Sequence, residues 1–435
     1  MRNSLLAVLL LLSAAIVRAE DDFERAPIEY SRSTPDNAVS QLQRRLDRAE
    51  VTLKFDDASG YLPALLRALH IPVESQMLVF SKTSMQRDRI APKTPRAIYF
   101  NDDVYVGFCH AGQVLEVSAA DPALGAVFYT LEQKKSASPA LVRQTQQCLQ
   151  CHSSSQSGGV PSHLVRSVFT ASSGLPILSE GGFRVDHTTP LEDRWGGWYV
   201  SGSHGRQTHL GNLIVKDTPI TRPVQNPDGH NVADLSHRFS AASYLTPDSD
   251  IVALMVFEHQ TYVQNLIASA NFATRQALHY EAQFNRELGE PADHRLESTT
   301  RRIASAGDQL VKGLLFVDEA PLAAPIAGTS QFTKKFASKG PRDELGRSLR
   351  EFDLSNRLFK HPCSYQVYSA AFDGLPREMK IYVASKLQCV LAPSNTRQDP
   401  RGSQDDEKSF AHLTQDDRRA IWEILSSTKP EVLKP

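Results

Sequence analysis

The sequence predicts an α+β fold that is mostly helical, with β-hairpins in its first third and a long helical hairpin in its second half. Three observations carry this. Between residues 77 and 131, aromatic and β-branched runs alternate with turn-forming residues, the pattern of antiparallel hairpins. Residues 248–288 contain neither Pro nor Gly and read as one long helix. The chain has 435 residues, 41% hydrophobic and 22% charged, a balance that excludes disordered, collagen-like and coiled-coil architectures.

The elements follow in order. Arg2 precedes an apolar run from Leu5 to Val17, too short to span a bilayer. Val17-Arg18-Ala19 and the acidic Glu20-Asp21-Asp22 then predict a secretory signal peptide cut after Ala19, with an uncleaved anchor as the alternative. Short helices are expected over Val39–Leu46 and Tyr61–His70, the second stopped by Pro72. Ile98-Tyr99-Phe100 and Val104-Tyr105-Val106 flank the turn residues Asn101-Asp102-Asp103. Val114 to Val117 and Ala126 to Leu131 flank Asp121-Pro122 and Gly125. Ser138-Pro139 offers a cap and a first-turn proline, and Leu141, Thr145, Cys148 and His152 fall on one helical face, so a helix is expected from 139 to 152.

Residues 160–245 are rich in Gly, Pro, His and Trp, with short strand candidates at Val165–Phe169, Trp198–Val200 and Leu213–Val215. After the long helix, Gly289-Glu290-Pro291 breaks the chain and 293–316 returns as a second helix, completing a helical hairpin. Two helical stretches cover roughly 364–391, residues 393–409 read as a polar loop, and Thr414 caps a final helix.

The chemistry centres on Cys148-Leu149-Gln150-Cys151-His152. Residues i and i+3 of a helix project from one side, so the two thiols can add to the two vinyl groups along one haem edge. The next histidine can then turn under the ring and ligate the iron; the string is a c-type haem attachment signal. Roughly 0.002 such strings are expected by chance from this composition. A redox Cys-x-x-Cys pair and half of a zinc site are the competing readings. The first wants a thioredoxin-like βαβ context and the second wants another ligand pair, and neither is apparent.

On this motif the chain resembles c-type cytochromes, over residues 139–152. Leu413 to Leu425 is similar to the C-terminal helix of small cytochromes c. In length the chain looks more like the large secreted proteins described as cytochrome c domain-containing. The resemblance implies a mostly helical, cytochrome c-like haem-binding core. It also implies one covalent haem c on Cys148 and Cys151, with His152 as the proximal iron ligand. The expected organisation is a signal peptide (1–19), an N-terminal α+β region with hairpins (20–135), a haem-attachment region (136–245) and a mainly helical C-terminal region contributing to the haem domain (246–435).

The distal ligand decides between electron transfer and catalysis. Met255 and His259 lie four apart on the long helix and share a face. His187, His204, His209, His230 and His237 crowd the stretch after the motif. His259, then Met255, then His209 are the candidates, with core packing and ordinary polar contacts as the alternatives. Trp195-Gly196-Gly197-Trp198-Tyr199 is a candidate haem-pocket wall or simply a packed turn. Arg184, Arg194 and Arg206 are candidate propionate partners. An oxidising compartment favours pairing Cys363 with Cys389, leaving Cys109 buried in its strand.

The reading that follows is an exported, periplasmic or secreted monohaem cytochrome transferring electrons to a redox partner protein. A haem-dependent oxidoreductase of peroxidase type and a haem-based sensor are the alternatives. The formal net charge of -1 gives no reason to expect nucleic acid. No apolar stretch after the signal peptide is long enough for an integral membrane segment.

Overall fold

A computed structural model describes residues 22–154, 158–216, 218–393 and 408–434. The proposed signal peptide and nearly all of the expected 393–409 loop lie outside these residues.

The N-terminal part holds helices α1 (Ala38–Asp47) and α2 (Leu62–Ala68). Asn37 caps α1 by accepting from the Val39 and Ser40 amides, while Ser40 reaches back to the Asn37 amide. The sheet follows: β1 (Met77–Val79), β2 (Arg96–Phe100), β3 (Val104–Phe108), β4 (Val114–Asp121), β5 (Gly125–Glu132) and β6 (Leu141–Gln144). A helical turn, α3 (Leu149–His152), carries the motif. The next region holds β7 (Arg166–Val168), β8 (Gly182–Arg184), β9 (Trp198–Tyr199) and β10 (Gly202–Ser203). Helices α4 (Ile251–Leu288) and α5 (Glu297–Leu314) form the expected hairpin. The rest comprises β11 (Ala327–Gly328), α6 (Phe332–Ala337), α7 (Ala370–Asp373), α8 (Arg377–Leu391) and α9 (Gln415–Thr428).

Both predicted hairpins form, β2–β3 across residues 101–103 and β4–β5 across 122–124. Seven strands join in the order β6-β5-β4-β3-β2-β1-β9, every neighbour antiparallel. The sheet is covered on both faces. Leu78, Ala97, Tyr99, Val106, Val117 and Tyr129 belong to a core shared with α1, α2 and the 235–244 segment. Met77, Val79, Ile98, Phe100, Tyr105 and Trp198 belong to the core built around α4 and α5. Alternation of side chains along each strand makes this two-sided packing possible.

This arrangement overturns the mostly helical, cytochrome c-like core. The protein is α+β, and its motif lies beside a large antiparallel sheet. The expected 139–152 helix is the local source of the difference. Leu141–Gln144 pairs with β5 instead, Leu141 opposite Leu131 and Gln144 opposite Phe128. An unpaired edge of β5 would leave backbone amides and carbonyls without partners, and β6 satisfies them. Helical geometry begins only at Cys148. Leu213–Val215 forms no strand; Val215 makes a single bridge to Ala171.

Helix α4 is about 57 Å long at the standard rise per residue. Asp250 caps it through the Val252 and Ala253 amides, and Gly289 ends it in the left-handed conformation at φ 68°. Among the described residues, no helix is long and apolar enough to cross a membrane.

Candidate functional site

The motif is built on one helical turn. The Cys148 carbonyl accepts from the amides of Cys151 (3.3 Å) and His152 (3.0 Å), which sets the two cysteines one turn apart. Both thiols are free; Cys148 is half-buried and Cys151 exposed. Burial pushes the Cys148 thiol up to about 11. His152 Nδ1 lies 3.0 Å from the Ser162 carbonyl oxygen. A carbonyl can only accept, so Nδ1 carries the proton and Nε2 keeps its lone pair. Metal-ligating histidines are oriented in this way by a backbone acceptor. The ring rests against Phe128 of β5, with centroids 4.7 Å apart, and burial holds it towards the neutral form.

The segment after the motif is tied down at several points. The Ser162 amide donates to the His152 carbonyl (2.9 Å), and the Pro161 carbonyl accepts from Ala126 at the start of β5 (2.9 Å). Gly125 permits this approach: at φ 66°, a Cβ there would sit 2.6 Å from the Pro161 oxygen.

A half-buried ion pair stands beside the motif. Arg96 and Glu116 meet at 2.6 Å, and Ser84 and Gln86 also donate to Glu116. Gly107 leaves room for the Arg96 guanidinium, since a Cβ would lie 2.5 Å from Nη2. Both charges act on Cys148 and His152. Arg96 is thus the arginine placed near the motif, and sequence reasoning missed it. Of those named instead, Arg194 is buried against Glu258, Arg184 lies over the Tyr262 ring, and Arg206 is exposed.

The second residue missed is His163. Its Nε2 is 3.0 Å from Ser118 Oγ on β4, and its ring lies 4.4 Å from Tyr105 and 6.2 Å from Phe128. Phe128 therefore touches both His152 and His163. Burial, with the His152 charge second, pushes the His163 imidazole down to about 3. Periodicity could not flag a lone histidine following a Ser/Gly loop.

The distal candidates lie elsewhere. Met255 is 3% exposed and packs in the α4–α5 core. His259 has both ring nitrogens engaged: Nδ1 is 3.0 Å from His187 Nδ1 and Nε2 is 2.8 Å from Ser364 Oγ. It also stacks on Phe316 at 4.1 Å. His209 Nδ1 accepts from the Gly211 amide (3.0 Å), so its Nε2 carries the proton and has no lone pair to give. His209 packs with Trp195, His204 and His230. Among the described residues, no hydrogen bond or ring contact joins Met255, His259 or His209 to His152.

The Trp195–Tyr199 segment forms a tight turn leading into β9, with Trp195 buried at φ 67°. The Trp195 indole N–H acts on the Glu258 carboxylate without reaching good hydrogen-bond geometry. Trp198 donates to the Arg166 carbonyl (2.8 Å). Glu258 is fully buried and paired with Arg194 at 3.1 Å; burial outweighs that pairing and pushes its carboxyl up to about 7.

Cys363 and Cys389 are not paired. Cys363 is buried in the α4–α5 core, whereas Cys389 lies outside that cluster near the end of α8, half-buried. Cys109 is buried, as expected, but it follows the end of β3 and does not lie within the strand.

The residues present fit a covalent haem. Two free thiols stand one turn apart, and the adjoining imidazole holds its proton on the nitrogen facing a carbonyl. Among the described residues, no group of three or more His, Cys, Asp or Glu side chains is arranged to hold a bare metal ion. Haem iron does not need such a group, because the macrocycle supplies four of its ligands. The chain matches no family model, no curated protein and no solved structure.

Proposed function

We propose that this chain is an exported c-type haem protein that transfers electrons. In this reading Cys148 and Cys151 hold one haem by two thioethers, and His152 ligates its iron. The observation that carries it is the His152 Nδ1 to Ser162 carbonyl bond, which leaves the Nε2 lone pair available on the residue that follows the second of two free thiols. Each thioether forms when a thiol S–H adds across a vinyl C=C bond, so attachment itself needs no oxidant or reductant. When bound, the haem supplies a one-electron couple. Cys151 is exposed, which supports a haem edge open to a redox partner protein. The apolar run and cleavage site at 1–19 support export to the periplasm or the outside.

A haem-dependent oxidoreductase or sensor is the second reading. It is favoured by the engagement of His259 and His209 in other contacts, which leaves neither as a ready sixth ligand.

Maturation in a host competent for covalent haem attachment tests the first claim. The wild type is expected to keep haem stain on a denaturing gel, and the double variant Cys148→Ala, Cys151→Ala to lose it. A wild type that never carries haem would sink the reading. Carbon monoxide then separates the two functions. A reduced protein that is low-spin and refuses the gas transfers electrons; one that binds it readily has an open face, and peroxide turnover tells enzyme from sensor.

A further inference from the structure

We propose that Asn265, on α4, is a positioning residue for the haem iron, acting through one peptide bond on the electron density of His152. This rests on the haem reading above. The Ser162 carbonyl and the His163 amide belong to the same peptide unit. On one side, its oxygen accepts from His152 Nδ1 at 3.0 Å. On the other, its N–H donates to Asn265 Oδ1 at 2.9 Å. The Asn265 amide also donates from Nδ2 to the His163 carbonyl at 2.7 Å. These two bonds fix which end of the side chain is oxygen, because an N–H needs an acceptor and a carbonyl needs a donor.

The physical consequence is a polarised relay. A hydrogen bond to a peptide N–H makes the carbonyl of that unit a stronger acceptor, since chains of hydrogen bonds reinforce one another. A stronger acceptor draws the Nδ1 proton of His152 further out and makes Nε2 a better electron donor. That favours the oxidised iron. The peptide has little freedom to turn away. Pro161 before it is bonded to Ala126, and the His163 ring after it is bonded to Ser118. Asn265 stands 102 residues from His163 in sequence, so this side chain brings the α4 helix to the peptide that follows the motif.

The test uses the mature, haem-bearing protein and four readouts. Asn265→Leu removes the acceptor at similar size. It should raise the midpoint potential, changing the oxidised-to-reduced ratio at fixed ambient potential by roughly two- to tenfold, where tenfold is 59 mV for one electron. The His152 ring N–H resonance of the reduced protein should move upfield, as expected for a weaker hydrogen bond. Asn265→Asp keeps an oxygen facing the His163 amide and should leave the potential at or below that of the wild type. Haem content and circular dichroism should match in all three proteins. An unchanged potential and ring proton in the leucine variant would overturn the inference. So would a rise in the aspartate variant as large as in the leucine variant, which would mark a packing effect. Absence of haem from the wild type instead overturns the haem reading itself.

Discussion

Glu258 shows how a single residue can carry a pH dependence. It is fully buried on α4 with Arg194 as its partner and Asp186 nearby, and its carboxyl titrates near 7 instead of the usual 4.5. In the unfolded chain the proton leaves near 4.5, whereas the folded protein holds it until about 7. The stabilising contribution is therefore complete below 4.5 and is lost as pH rises through 7, by on the order of 3 kcal/mol. Glu258→Gln should lie close to the wild type at pH 5, where the carboxyl is already neutral and Arg194 has no counter-charge in either protein, and its stability should not fall across that window. Urea unfolding at pH 5 and pH 8 checks this, and parallel pH profiles for the two proteins would refute it. At the same scale, the motif residues were legible in the sequence because their chemistry is local: three side chains within five positions. Arg96 and His163 were not. Each acquires its meaning from a partner on another strand, Glu116 or Ser118, brought close only by strand register.

Among the elements, α4 was read almost to its ends. Asp250 and Gly289 punctuate it, and the uninterrupted sequence between them has no competing signal. Asp250 also accepts from the Ser330 amide (2.8 Å) and hydroxyl (2.7 Å), tying the start of α4 to the loop after β11. Asp250→Ala is expected to cost about 2 kcal/mol, at the upper end for a helix cap, because it frees donors on two segments. A loss below about 0.5 kcal/mol in urea unfolding would show that solvent replaces the cap. The β6 segment shows the opposite case. Its periodicity suits a helix, and the structure uses it as a strand because β5 requires an edge partner. Tertiary demand overrides a short-range pattern most easily where the pattern spans only a turn or two.

At the scale of the whole molecule, the sheet is packed between α1 and α2 on one face and the α4–α5 hairpin on the other. Removing either layer would expose an apolar sheet face, so these parts should open together. Backbone amides of β2–β5 and α4 are expected to share the slowest hydrogen exchange, near the global unfolding free energy. Residues 171–181 and 218–229, which have little ladder pairing, should exchange earlier. Two well-separated protected populations, one for the sheet and one for the helices, would show instead that the layers unfold independently. In the same architecture α4 spans the interior and contributes Asn265 to the motif's surroundings and Glu258 to the buried Arg194 pair.

The sequence by itself determined the Cys-x-x-Cys-His string, the two hairpin turns, the long helix and the cap at the start of α9. All of these rest on neighbours within a few positions, where covalent geometry and local hydrogen bonding decide. Only the tertiary structure decided that the motif lies beside an antiparallel sheet and not in a helical bundle. It also decided that His163 and Arg96 stand near it, and that His259 and His209 are occupied elsewhere. Those choices depend on contacts between residues tens to more than a hundred positions apart. Such contacts are settled by which apolar faces can be buried together, and no local pattern encodes that.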